Sequence, residues 1–151
     1  MKSFALPLAQ KGFGIERDND REREVIPFDG DPIKMPHFGG VTIGENCDIG
    51  SLNTIVAGAI NPTNLDPYVM TDDHVHIGHN CMIGRGVAIT ACAEISGSVT
   101  VGDESWIGPN SSLMQKISIG RCSIIGLGAV VRKSVPDNSV VAGNPAKQII
   151  K

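Results

Sequence analysis

Three histidines fall close together in Asp72-Asp73-His74-Val75-His76-Ile77-Gly78-His79-Asn80-Cys81. An imidazole takes up and releases a proton near neutral pH, so this stretch is the first place to look for a general base. His79 lies two residues after Ile77 and His76 immediately before it, so if Ile77 is buried both histidines face outward. Asp72 and Asp73 are candidates to orient an imidazole and hold its tautomer. Asn80 is a candidate for support or substrate contact. Gly97 follows His79 by 18 residues. A glycine lets a substrate approach the backbone closely, and its N–H can face a developing oxyanion.

A second set of candidates lies downstream, in Ile125-Gly126-Leu127-Gly128-Ala129-Val130-Val131-Arg132-Lys133 and Val141-Ala142-Gly143-Asn144-Pro145-Ala146-Lys147. Small residues beside Arg132, Lys133 and Lys147 suggest a backbone-lined groove. Such a groove suits an extended pantetheine arm, with cations near its phosphates.

What positions these residues is a period of six. Aliphatic side chains stand without a break at Ile77, Ile83, Ile89, Ile95, Val101, Ile107, Leu113, Ile119, Ile125 and Val131. The residue after them is Gly at 78, 84, 102, 108, 120 and 126, and Ile43, Ile49 and Ile55 carry the same step upstream. Four residues after each aliphatic site the side chain is mostly small or β-branched, as at Cys47, Cys81, Val87, Ala93, Val99, Ser105, Ser111, Ser123 and Ala129. On a helix, steps of six would point the aliphatic set three ways. In a flat sheet, the recurring glycine would weaken every strand. A coil with three short-strand faces satisfies the pattern: three hexapeptides per turn, turns stacked ~4.8 Å apart, aliphatics inward and glycine tolerating each corner. Segment 41–135 supplies about five such turns. The rhythm slips once, because Ile55 to Leu65 is ten residues. Four extra residues therefore bulge out around 57–64, where a rigid solenoid often carries its binding surface.

Composition agrees with an all-β chain. Val plus Ile number 31 against 6 Leu, which disfavours a helical bundle. The net charge of −3 does not suggest a phosphate-backbone binder, and no 18-residue apolar run exists to span a membrane. With no signal-like start, the expected location is the cytoplasm. Cys47, Cys81, Cys92 and Cys122 show no zinc-ribbon spacing and read as buried thiols in small core positions. Residues 1–37 hold 13 of the 29 formal charges, so they read as an N-terminal charged arm and excursion loop. Residues 38–151 read as the β-helix with a short C-terminal cap.

Two family resemblances overlap on this chain. Gly12-Phe13-Gly14, Lys34-Met35-Pro36-His37-Phe38-Gly39-Gly40-Val41-Thr42-Ile43-Gly44, Gly50-Ser51-Leu52-Asn53-Thr54-Ile55 and His76-Ile77-Gly78-His79-Asn80 resemble the UDP-3-O-acylglucosamine N-acyltransferases of lipid A synthesis. That resemblance implies a left-handed parallel β-helix, His79 as the base that deprotonates a sugar-nucleotide amine, and the Gly97 N–H as the oxyanion donor. Ser105-Trp106-Ile107-Gly108-Pro109-Asn110 and Ala142-Gly143-Asn144-Pro145-Ala146-Lys147 are similar instead to coenzyme A-dependent sugar and xenobiotic acetyltransferases. This second resemblance implies a coenzyme A site along the closing segment, with Trp106, Gly126, Gly128, Lys133, Asn144, Pro145 and Lys147 as cofactor-binding candidates.

In the lipid A enzymes a second histidine lies one turn beyond the oxyanion glycine; here that place falls on Lys116. Acetyl-coenzyme A or another acyl-coenzyme A therefore fits better as donor than a long acyl chain on a carrier protein. The family assembles as homotrimers with sites between neighbouring prisms, so a homotrimer acting on an amino-sugar acceptor is expected, in lipid A or O-antigen chemistry. An O-acetyltransferase and a non-catalytic scaffold are the alternatives. Gamma-class carbonic anhydrases share the prism, but their second histidine falls on Gly84 here, so no metal is expected.

Overall fold

The computed structural model describes residues 36–149, plus the backbone of three short strands upstream: β1 (Ala9–Gln10), β2 (Pro27–Phe28) and β3 (Asp31–Pro32). The charged run at 16–24 and the Gly12-Phe13-Gly14 stretch lie outside the described residues.

From Val41 onward the chain winds as the six-residue period requires. The first turn is β4 (Val41–Ile43), β5 (Asp48–Ile49) and β6 (Thr54–Val56); the second is β7 (Thr63–Leu65), β8 (Met70–Thr71) and β9 (His76–Ile77). The third is β10 (Met82–Ile83), β11 (Ala88–Ile89) and β12 (Glu94–Ile95), and the fourth β13 (Thr100–Val101), β14 (Trp106–Ile107) and β15 (Ser112–Leu113). A fifth turn, β16 (Ser118–Ile119), β17 (Ile124–Ile125) and β18 (Val130–Val131), is followed by part of a sixth, β19 (Val140–Ala142). The column is thus one partial turn longer than the rhythm alone suggests, because the tail keeps stacking after the regular steps end. Val135 still bridges to Ile119 and β19 still pairs in parallel with β17. Finally β20 (Lys147–Gln148) folds back antiparallel on β19.

These strands stack into three parallel sheets. Face 1 holds β4, β7, β10, β13 and β16; face 2 holds β5, β8, β11, β14, β17 and β19. Face 3 holds β6, β9, β12, β15 and β18, and β1 extends it upstream by pairing with β6. Part of the segment read as an arm therefore joins the prism, while β2 and β3 pair only with each other.

The core follows from the sequence steps. Ile77, Ile83, Ile89, Ile95, Val101, Ile107, Leu113, Ile119 and Ile125 are all at most 2% exposed. The small-residue positions fill the space between them, and the last turns use serine: the Ser105 hydroxyl donates to the Gly120 carbonyl and accepts from Ser123 N–H at 3.2 Å. Cys81 fits this scheme, and burial pushes its thiol up to about 11. Cys92 and Cys122 do not, being exposed at corners, and Cys47 is half-buried.

The corners correct a second expectation. The left-handed backbone conformation sits three residues after each aliphatic, not at the glycine beside it, and recurs every six residues from Tyr68 to Gly128. It turns that residue's N–H onto the carbonyl of the preceding turn, as in Ser98 to His79 at 2.7 Å and Cys92 to Asp73 at 3.1 Å. Side chains other than glycine pay strain there, and Glu104 is one of them (φ 56). The glycines beside the aliphatics are needed for room instead. A Cβ on Gly108 would lie 2.5 Å from the Ile125 carbonyl oxygen and 2.8 Å from the Gly126 carbon, both backbone atoms of the next turn.

Two substitutions separate these effects. Gly108→Ala should destabilise by roughly 1–3 kcal/mol through overpacking. Glu104→Gly should stabilise by about 1 kcal/mol by relieving the left-handed strain. Thermal melts of the two variants against the parent check both signs.

Candidate active site

The edge joining face 3 to face 1 gathers the chemistry. Stepping along it by 18 residues gives His79, Gly97, Gln115 and Lys133, one per turn. Successive turns are tied by Ser98 N–H to His79 C=O (2.7 Å) and Lys116 N–H to Gly97 C=O (3.1 Å). The bulge at 57–62 interrupts this same edge one turn upstream of His79. It is held from outside by residues 38–40: Phe38 N–H donates to Ala59, Gly39 N–H to Gly58, and Gly58 N–H to Gly40.

His79 is half-buried at the corner after β9 and points away from the core. Its Nδ1 is shut off from solvent. Its Nε2 lies against Gly97: a Cβ built on Gly97 would stand 2.5 Å from Nε2 and 2.7 Å from Cε1. Only glycine lets the imidazole lie across the backbone of the next turn. The Gly97 amide is also open. At the other two edges three of the equivalent N–H groups are capped by aspartates one turn on, Ser51 by Asp73 (2.6 Å), Arg85 by Asp103 (3.0 Å) and Arg121 by Asp137 (2.8 Å), while those of Ala91 and Leu127 are open like that of Gly97. On the His79 edge Gln115 takes the place of that aspartate, and among the described residues the Gly97 N–H donates to no acceptor. A proton acceptor and an uncommitted amide donor thus lie side by side, the pair that acyl transfer requires.

Other predicted residues fall elsewhere. Asp72 and Asp73 occupy the corner before β9, across face 3 from His79, where Asp73 caps Ser51 and Asp72 accepts from Asp73 N–H at 2.8 Å. Their carboxylates serve that turn rather than the His79 imidazole. His76 faces outward and half-buried from β9, between Thr54 and Glu94 in register. The Asn80 side chain anchors the bulge, its Oδ1 accepting from Ala59 N–H at 2.7 Å.

The cofactor candidates divide into two groups. Lys133, Pro145 and Lys147 line a groove of about 490 Å³ at the far end of the His79 edge, with Met114, Arg132 and Val135. Asn144 is exposed beside it, joined to Pro145 by a cis peptide bond. Trp106 projects from face 2, in register with Ala88 and Ile124, and Gly126 and Gly128 begin the corner between faces 2 and 3. The fold does not bring these three to the groove within one chain. Among the described residues no group of three His, Cys, Asp or Glu side chains is placed to hold a metal ion.

Sequence reasoning overlooked His37. Its Nδ1 lies 2.8 Å from the Ala57 carbonyl oxygen, and its ring meets that of His79 edge to face, with centroids 5.3 Å apart. One signal was available: stepping six residues back from Ile43 lands on His37, a polar residue where the rhythm calls for an aliphatic.

No family model matches the sequence. The chain is 31% identical over 111 residues, 74% of its length, to UDP-3-O-acylglucosamine N-acyltransferase of Herminiimonas arsenicoxydans. It is 40% identical over 93 residues, 62% of its length, to the protein of that name from Burkholderia multivorans. It spans 32% of the first relative and 25% of the second. Among solved structures, LpxA from Acinetobacter baumannii matches with a TM-score of 0.69 at 28% identity, over 71% of this chain and 43% of that one. The acetyltransferase domain of PglB from Neisseria gonorrhoeae, in complex with acetyl coenzyme A, matches with a TM-score of 0.60 at 30% identity, over 74% of this chain and 55% of that one. These likenesses supply the hand of the coil, which the period leaves open. From its six-residue rhythm, its stacked triangular turns and these relatives, the chain carries the left-handed β-helix of the hexapeptide-repeat acyltransferase superfamily.

Proposed function

We propose that this protein is an acyltransferase that moves an acyl group, acetyl in the simplest case, from a coenzyme A thioester to an amino group of a sugar or sugar nucleotide. The observation that carries this reading is His79 Nε2 lying against Gly97, whose N–H is uncommitted. The acceptor nitrogen attacks the thioester carbonyl carbon while Nε2 takes its proton. The Gly97 N–H donates to the oxygen that becomes negative in the tetrahedral intermediate. Collapse breaks the C–S bond, and the thiolate leaves and recovers the proton.

The donor reading draws on the edge itself. Lys133 follows His79 by 54 residues, three turns of 18, or roughly 14 Å at ordinary strand spacing. An extended pantetheine arm can span such a distance, with its thioester at Gly97 and its phosphates among Arg132, Lys133 and Lys147 at the groove. The PglB acetyltransferase domain, to which the chain is similar, was solved with acetyl coenzyme A.

We assign the assembly as a homotrimer. Face 2 carries an outward apolar column of Met70, Ala88, Trp106, Ile124 and Val140, with Met70 51% and Ile124 40% exposed. In a triangular prism that face lies opposite the His79 edge. A threefold contact between copies would cover the column. Among the described residues no helix is long and apolar enough to cross a membrane. A coenzyme A donor and a sugar-nucleotide acceptor would be met in the cytoplasm, where we place the protein.

Thiol release from acetyl-coenzyme A, tested against a panel of amino-sugar nucleotides, checks the chemistry. His79→Ala should lower kcat by ~10²–10⁴; unchanged turnover would remove the mechanism. Lys133→Glu should weaken coenzyme A binding about tenfold or more by calorimetry, the equivalent of one charge-assisted contact. Ile124→Lys should shift the mass seen by light scattering from trimer to monomer, since it charges the centre of the apolar column.

A further inference from the structure

On one side the His79 imidazole lies against the bare backbone of Gly97. Rotation of an imidazole about its second side-chain torsion is broad, so a ring packed against another face narrows the orientations open to it. His37 supplies such a face. Its Nδ1 lies 2.8 Å from the carbonyl oxygen of Ala57, a residue only 6% exposed. A carbonyl only accepts, so Nδ1 carries the hydrogen and the His37 ring is pinned to the base of the bulge. From there it meets the His79 ring at an interplanar angle of 67°. The bulge is itself tied to the residue after His79, through Ala59 N–H and Asn80 Oδ1. Chain segments far apart in sequence thus converge on one imidazole.

We propose that His37 is a positioning residue for His79: pinned by its bond to Ala57, it sets the angle at which Nε2 faces the reacting centre above Gly97. The inference rests on the reading of His79 as the base. A purely structural role, in which His37 only staples residues 36–40 to the bulge, is the competing account.

Three variants separate the two. His37→Phe keeps a ring against His79 and loses the bond to Ala57; His37→Asn keeps an amide donor near the Nδ1 position and loses the ring; His37→Ala loses both. Acetyl-coenzyme A thiol release should show kcat falling roughly ten- to a hundredfold in His37→Ala with KM within about twofold, the usual scale for a misplaced group. His37→Asn should stay low, and His37→Phe should recover a substantial part. In parallel, NMR of the imidazole ring protons should show one sharp set of His79 signals in the parent and broadened or doubled signals in His37→Ala, a readout of ring orientation that needs no substrate. The proposal is overturned if kcat and the His79 spectrum are unchanged in His37→Ala, or if His37→Asn restores activity and His37→Phe does not. Should His79→Ala itself turn over normally, the base assignment fails instead, and the NMR result still decides whether the two rings are coupled.

Discussion

Everything in this molecule hangs on the closeness with which one turn of backbone lies on the next. Eighteen residues return the chain to the point above where it began, and parallel strands then exchange hydrogen bonds along all three faces. That spacing puts Ile77 under Ile95 and Ile95 under Leu113, so the interior becomes three aliphatic columns. The same spacing sets the composition of the corners. No side chain fits where Gly108 passes the Ile125 carbonyl, and the neighbouring corner residue must turn left-handed to keep its N–H bonded.

The His79 edge departs from that regularity. Repetition alone would give three equivalent edges. On two of them an acid from the following turn caps some of the corner amides, through Asp73, Asp103 and Asp137. The third carries a histidine, a glycine and a glutamine in succession, with a bulge just upstream. Frame and edge are thus distinct: aliphatic columns and backbone ladders hold the column, and the His79 edge sets an imidazole against a glycine whose amide is open.

The sequence made the architecture legible because a period is a statement about geometry. Ten unbroken aliphatic steps allow few windings, and the inward set Ile77 to Ile125 is buried as the steps require. His79 and Gly97 were legible for the same reason, since a separation of one turn means stacking. What escaped was whatever depends on contacts outside the rhythm. His37 reaches His79 from a segment with no repeat, and Asp72 and Asp73, adjacent in sequence, lie across a face. Trp106 and Lys133 belong to different sides of the prism, which a list of small and basic residues does not reveal. The glycines were correctly tied to the corners, but for torsional freedom, when they are there to make room.

The missing cap on the His79 edge has a cost of its own. An acid at position 115 would let the scaffold complete its pattern, closing the Gly97 amide as Asp103 closes Arg85. Such a chain would gain a bond and lose its opening. At that single glutamine, closing the backbone for sturdiness and leaving an amide open to the outside are therefore exclusive choices.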